Sequence, residues 1–487
     1  MLFLTTFVHT QSLLIQNGKV IDGTGKPFKS KDILIENGSI IKTGRIKVKP
    51  EYKILDAAGR VVCPGFIDTH AHGNPLTTPL FPNFLAMGVT TVILGQDGES
   101  PLYRDMNEWF NQLQIKGIAL NVGTLAGHGT LRFITGVKFK LIPDRAESDS
   151  IQQVLRSWLE AGCLGMSTGL EYVPGRYAQA GELHALAKIV GEHKGIIMSH
   201  MRNEDDDQLE ASIHELLEQG NYCKVHIAHF KNVYGQSATR AEQLIRQIQN
   251  HKNRSKLSAD IYPYTASYTG IGIVFPGWAL PPANYDSIKQ TRKSELLEFI
   301  KTKVNKRNGP AATLFGSGPF RGMNLQAVAD SLQKPFEEVL AEDIGPDGAS
   351  GAYFVMNEAL QQKLMQWPGT MICSDGSLEM YHPRGYGSFT RIIEEFVLNR
   401  KALRLEEAIY KMTGLPAATL GLQKRGKIKK NYAADILMFY PEKIKTKASY
   451  DQPHVLSEGI DYVLVNGVLV KEGNKMFELF PGKVLKN

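Results

Sequence analysis

Residues 61–72 read Val-Val-Cys-Pro-Gly-Phe-Ile-Asp-Thr-His-Ala-His. Val61 and Val62 lead in as an apolar strand, Pro64-Gly65 breaks the run, and His70 and His72 follow two residues apart. On a strand, residues i and i+2 point to the same side, so two imidazoles at a strand's end face one point, an arrangement able to bind one metal ion. The pair alone carries little weight; its place after an apolar strand and a Pro-Gly break is what makes it informative. Strand and helix patterns alternate onward from here. Residues 90–94, 195–198 and 224–228 read as strands, and 151–161 and 209–217 space their apolar residues as helices. Repeated βα units of this size predict a parallel sheet, closed as a barrel or open.

The later strands end in further polar groups. Met198-Ser199 leads to His200, Ile227-Ala228 to His229, and Ile372-Cys373-Ser374 to Asp375. Taken singly, a histidine is usually structural and a strand-end aspartate usually a cap. Four histidines and an aspartate at the C-terminal ends of successive strands are hard to explain as packing, and this is the face on which parallel α/β barrels carry their sites. We therefore expect a metal site of His70, His72, His200, His229 and Asp375. The rhythm breaks at about 267–350, where Pro276, Pro281, Pro282 and Pro310 fall and a helix is expected near 294–304; this reads as an insertion over one face. At both chain ends, Asn-Gly and Asp-Gly pairs (17–18, 22–23, 37–38, 466–467) separate short apolar runs, which is the strongest short hairpin signal. Together with the apolar strand at 434–439, they predict one small β-domain assembled from both termini.

A length of 487 residues suits one large domain plus a smaller one. The net charge of +7 comes without a basic run interleaved with aromatics, so nucleic acid is not indicated as a partner; the basic stretch 424–430 reads as a solvated turn. Cys63, Cys163, Cys223 and Cys373 are widely spaced without a CxxC pair, which argues against a zinc ribbon or disulfide framework and for buried free thiols. No apolar stretch has the length of a membrane-spanning helix. The run MLFLTTFV at 1–8 fits equally a truncated secretory signal or a first strand, leaving the compartment open between cytoplasm and periplasm or exterior. The oligomeric state is not legible.

Collinear motifs over nearly the whole chain add a resemblance: PGFIDTHAH at 64–72, GVTTVILG at 88–95, GHGTLR at 127–132, GMSTGLEYVPG at 165–175, SHMRNE at 199–204, AHFK at 228–231, YPYTA at 262–266, CSDG at 373–376, HPRGYGSF at 382–389, KMTGLPA at 411–417 and ADILMF at 434–439. The sequence resembles the amidohydrolase superfamily and, within it, the D-aminoacylase (N-acyl-D-amino-acid deacylase) family. The resemblance implies a (β/α)₈ barrel over 65–414 flanked by a composite β-sandwich from 1–64 and 415–487. It also implies a divalent metal, Zn²⁺ first, as one or two ions. His200 and His229 match the tight ligands, and His70, His72 and Asp375 those of a second, weaker position. Asp375 matches the catalytic acid/base, and Lys231, Tyr262 and Arg384 the groups that hold a substrate carboxylate.

One departure stands out. The family's Gly-Asn-Cys-Gly turn after the second strand, whose thiolate is the third tight ligand, reads here Gly95-Gln96-Asp97-Gly98. A carboxylate is an acceptable zinc ligand, and the harder donor shifts preference toward Mn²⁺ or Fe²⁺ or favours a filled binuclear site; the alternative is that Asp97 only caps the next helix. No lysine falls in 165–187, where a carboxylated bridge would sit, and Glu171 is there as a reserve ligand or substrate contact. His128 reads equally as a residue orienting the site or as structural. The implied reaction is hydrolysis of a linear amide in a small acid, an N-acyl-D-amino acid or a dipeptide with a D residue. The alternatives are a cyclic-amide hydrolase of the hydantoinase or dihydroorotase type and a non-catalytic barrel scaffold.

Overall fold

The computed structural model describes residues 12–487, so the apolar run at 1–8 lies outside the described residues. The middle of the chain is organised by largely buried strands, numbered β1 to β8 in chain order: Phe66–Asp68, Val89–Leu94, Asn121–Thr124 (continued after Leu125 by Ala126–Gly127), Gly165–Gly169, Ile196–His200, Lys224–Ile227, Leu257–Ile261 and Thr370–Ile372. Each pairs in parallel with the next. The residues after β8 turn back to those after β1: Asp375 N–H donates to His70 O at 2.8 Å, and Ala71 bridges Gly376 in parallel. Helices alternate with the strands. Arg145–Ala161 precedes β4, opens on a capping box between Asp144 and Glu147, and buries Ile151, Leu155, Trp158 and Leu159 at the i, i+4, i+7, i+8 spacing of one helical face.

Both chain ends build two further sheets. Leu13–Gln16 pairs antiparallel with Asp32–Glu36 and parallel with Lys53–Asp56, and Asp32–Glu36 with Ser39–Gly44 forms the hairpin expected at Asn37-Gly38. Asn17-Gly18 does not close a hairpin. Its following strand, Lys19–Val20, leaves for the second sheet and pairs with Val61–Pro64 and Lys29–Ser30. The reason is local: Asn17 is anchored to Asp56 Oδ1 and to the Gly59 N–H, and a Cβ at Gly18 would meet Val62 Cγ2 at 2.4 Å. Glycine at 18 thus serves a close approach to the strand carrying Val62 rather than a tight turn. The second sheet joins the termini, since Ile436–Phe439 lies antiparallel to Val61–Pro64. That strand runs directly into β1, so the His70/His72 segment starts from a point fixed on both sides.

The segment after β7 departs from the parallel pattern. Ala266–Gly270, Ser350–Phe354 and Thr313–Phe315 form an antiparallel sheet in that order. With the helices Tyr285–Thr291, Lys293–Lys306 and Leu325–Leu332 it encloses its own core around Ile271, Leu296, Ile300 and Phe315. Because it leaves from the C-terminal end of β7, it contributes directly to the cavity there. Among the described residues no helix is long and apolar enough to cross a membrane.

Candidate active site

Two buried carboxylates set the turns that carry the site. Asp68, at the end of β1, accepts from the His70 N–H at 3.2 Å and the Ser374 N–H at 2.9 Å, which ties the ends of β1 and β8 together. Asp260 in β7 accepts from the His229 N–H at 2.5 Å and from Thr69 Oγ1 at 2.6 Å. Asp97, His229 and Asp375 then take left-handed backbone conformations, with φ of 54°, 36° and 49°. Aspartate and histidine tolerate that region better than most residues, and such strain gathers where side chains must be aimed at a common point.

The aim is visible in the distances. Asp97 Oδ1 lies 3.4 Å from His70 Nε2 and 3.2 Å from His229 Nε2, while Oδ2 lies 3.6 Å from His72 Nε2. Asp375 Oδ1 lies 3.2 Å from His72 Nε2 and 3.6 Å from His70 Nε2. His200 Nδ1 faces His229 Nε2 at 3.0 Å. Asp97 therefore belongs to two groups at once, one with His70, His72 and Asp375 and one with His200 and His229; within each, the donor atoms lie within 4.8 Å of one another. It caps no helix, since the next one, Met106–Lys116, is capped by Asp105.

The donor chemistry fits a divalent cation. Neither ring nitrogen of the buried His70 has a hydrogen-bond partner, and nitrogen and carboxylate donors in these numbers are those of zinc and its neighbours. The electrostatics agree. Burial alone would raise Asp97 and Asp375, but the imidazoles of His70 and His229 around the first, and Arg384 and His229 around the second, outweigh it and hold both well below the usual carboxylate range. Burial and Lys231 push His229 down, yet the two carboxylates carry it up to about 10.

The remaining expected residues surround this core unevenly. Glu171 Oε2 sits 3.0 Å from His200 Nε2, on the other edge of the ring from Asp97, and the Tyr172 ring lies against the same imidazole at 4.3 Å. Lys231 Nζ contacts Glu204 at 2.7–2.8 Å and His229 Nδ1 at 2.8 Å. Arg384 stacks over the Tyr262 ring at 4.7 Å. The Tyr262 hydroxyl and the neighbouring Ser267 hydroxyl are buried without a partner. Lys231, Arg384, Glu171, Asp97 and Asp375 all line one cavity of about 1130 Å³. His128 is not brought into the cluster. It pairs with Glu182 at 2.7 Å, tying the helix His128–Ile134 to Ala180–Glu192.

Sequence reasoning missed Asp68, Asp260 and Glu204. The first two carry a signal, an acidic residue inside an apolar strand (Ile67-Asp68 and Ala259-Asp260-Ile261) that must find buried donors. Glu204 carries none, since its neighbours Asn203 and Asp205 are polar too. Burial raises it, but Lys231, His200 and His229 bring it down to about 2.

Residues 355–471 match the amidohydrolase family. The chain is 31% identical to N-acyl-D-glutamate deacylase of Alcaligenes xylosoxydans xylosoxydans, over 94% of this chain and 93% of that protein. It is 28% identical to D-aminoacylase of the same organism, over 97% of each. Among solved structures, N-acyl-D-glutamate deacylase from Bordetella bronchiseptica, complexed with zinc and a phosphonate inhibitor, aligns with a TM-score of 0.83 and 30% identity over 98% of this chain and 99% of that one.

Proposed function

This chain belongs to the D-aminoacylase (N-acyl-D-amino-acid deacylase) family of amidohydrolases, and from that membership and the site's geometry we propose that it hydrolyses the amide bond of small N-acyl-D-amino acids or D-residue dipeptides in a metal-dependent reaction. The observation that carries the reading is the convergence of His70, His72, His200, His229 and Asp375 around Asp97, with His70 buried behind the others, which line one cavity. We read β1 to β8 as a closed (β/α)₈ barrel, supported by the bonds that return from the end of β8 to the end of β1. We read 1–64 with 415–487 as a composite β-sandwich, and 267–350 as an insertion within 65–414; the pairing of Val61–Pro64 with Ile436–Phe439 supports the former.

His200 and His229 would hold a tight metal, His70, His72 and Asp375 a second, and Asp97 would serve both. Zinc is the first choice, with Mn²⁺ or Fe²⁺ favoured more than usual by a carboxylate where the family's turn carries a thiolate. A divalent cation there supplies Lewis acidity toward the scissile carbonyl and the attacking water. Asp375 accepts the proton that the water gives up as its oxygen bonds to the carbonyl carbon, then delivers it to the departing nitrogen, so that acid and amine leave with the elements of water added. Lys231 and Arg384 provide positive charge for the substrate carboxylate, Arg384 through a planar fork suited to two parallel bonds, and Tyr262 adds a hydroxyl donor.

The test is a turnover screen of purified protein loaded separately with Zn²⁺, Mn²⁺ or Fe²⁺. Substrates are N-acetyl and N-succinyl D- and L-amino acids, dipeptides, hydantoins and dihydroorotate. Release of free D-amino acid from linear substrates is expected. Turnover confined to the cyclic amides, or none at full metal occupancy, would overturn the reading.

A further inference from the structure

Arg307 closes the insertion helix Lys293–Lys306 and lines the same cavity as His72, Asp97 and Asp375. It is 2% exposed, its guanidinium lies over the Tyr353 ring at 4.6 Å, and its Nε is buried without a hydrogen-bond partner. Among the described residues no carboxylate forms an ion pair with it. Asp205, which lines the cavity beside it, is already engaged by Lys303 at 3.0 Å and Lys306 at 3.3 Å. Arginine is almost never buried without a counter-charge, because an unpaired buried cation is costly. The face of Tyr353 offsets only part of that cost. The other buried arginine of the cavity, Arg384, has Asp375 at 2.8 Å; Arg307 has no such partner among the described residues.

The geometry points to a second anion-recognising subsite: Arg307 takes a carboxylate of the substrate other than the one assigned to Arg384, so the preferred substrate is a dianionic N-acyl amino acid. This rests on the proposed function and narrows it. The planar fork of arginine suits a carboxylate, and Arg307 and Arg384 line one cavity of about 1130 Å³. The second carboxylate belongs either to the acyl chain or to the amino-acid side chain.

Two matched pairs separate these sources: N-succinyl- against N-succinamoyl-D-alanine, and N-acetyl-D-glutamate against N-acetyl-D-glutamine. We expect the wild type to prefer the charged member of one pair in kcat/KM. Arg307→Met, which keeps an apolar stem against Tyr353, should cut that preference roughly 10- to 100-fold, the size of one lost charge-assisted hydrogen bond; Arg307→Lys should cut it less. The responding pair locates the second carboxylate. If Arg307→Met does not fold, Arg307→Lys carries the test, with a smaller but measurable loss of preference expected. An unchanged ratio in both pairs, in a folded and metal-loaded variant, overturns the subsite and leaves Arg307 a stacking residue. Should the wild type turn over none of the four, the proposed function is judged by the wider screen, and the subsite by calorimetric binding of N-acetyl-D-glutamate and N-acetyl-D-glutamine. Tighter binding of the charged ligand that is lost in Arg307→Met supports it, and equal binding overturns it.

Discussion

Arg384 Nη1 lies 2.8 Å from Asp375 Oδ2, and both side chains are buried. The cation assigned to the substrate's carboxylate is thus also the counter-ion of the residue assigned to move the proton. On those assignments Arg384 would have two roles, keeping Asp375 ionised and binding substrate, and its removal should not look like a simple binding defect.

Arg384→Met should lower kcat and raise KM together, whereas a residue that contributes only uniform binding would change KM alone. Asp375→Asn keeps the size but removes the proton acceptor, and should lower kcat by ~10²–10⁴ while the metal at His200 and His229 is retained. Steady-state kinetics with elemental analysis of both variants checks this. Near-normal turnover in Asp375→Asn would remove it from the mechanism.

Asp97 contacts the imidazoles of both donor groups, at 3.2 Å to His229 and 3.4 Å to His70, so its loss should weaken metal binding at both positions. We expect Asp97→Ala to lose metal affinity, and Asp97→Cys to regain it with a stronger preference for zinc, because a thiolate is the softer donor. Competitive metal titration decides the matter. Unchanged affinity in Asp97→Ala would exclude it as a ligand.

Glu204 joins two side chains through one carboxylate, with Oε2 2.7 Å from Lys231 Nζ and Oε1 3.3 Å from His229 Nδ1. A carboxylate on the far nitrogen of a metal-ligating histidine fixes its tautomer, and its loss typically costs about 10–100-fold in metal affinity or activity. Glu204→Gln should therefore weaken metal binding and raise KM for the N-acyl amino acid, while Glu204→Asp should recover part of both. Metal affinity equal to wild type in Glu204→Gln would confine Glu204 to holding Lys231.

The legible parts of this chain were those governed by local rules. Buried β-strand runs such as 90–94 and 195–198 and the helix spacing of 151–161 give their elements directly, and strand-end histidines reveal a shared point because parallel strands deliver their ends to one face. Asn17-Gly18 misled because a turn signal states that the chain can bend, not which strand it joins; that depended on Asp56 and Val62, about 40 residues away. Glu204 and Arg307 stayed hidden for a related reason. A charged residue in a polar stretch reads as solvated; Glu204 is drawn in by Lys231 and His229 from the neighbouring strand end, and Arg307 by the insertion whose residues line the cavity.

Lys411 offers a test of stability away from the site. It is buried, with Nζ donating to Trp367 O at 2.7 Å and Thr370 O at 3.1 Å, and burial lowers its pKa from 10.5 to about 8. Between those two values the unfolded chain binds more protons than the native one, so stability rises with pH across that window. Below the lower value both states are protonated, and the cost of the buried charge, about 3 kcal/mol, is present in full. Lys411→Met removes this contribution but leaves two buried carbonyls short of a donor, which costs about 1–3 kcal/mol each. The sign of its net effect at neutral pH therefore depends on how far those carbonyls find other partners, but its pH dependence does not. The stability of Lys411→Met relative to wild type should fall by about 3 kcal/mol in going from pH ~7 to ~10.5, as the wild-type lysine loses its proton. Lys471, also lowered to about 8 by burial, is present in both proteins and cancels. Urea unfolding of the two proteins across this range gives the difference directly, and parallel stability curves would show that Lys411 is not the titrating group.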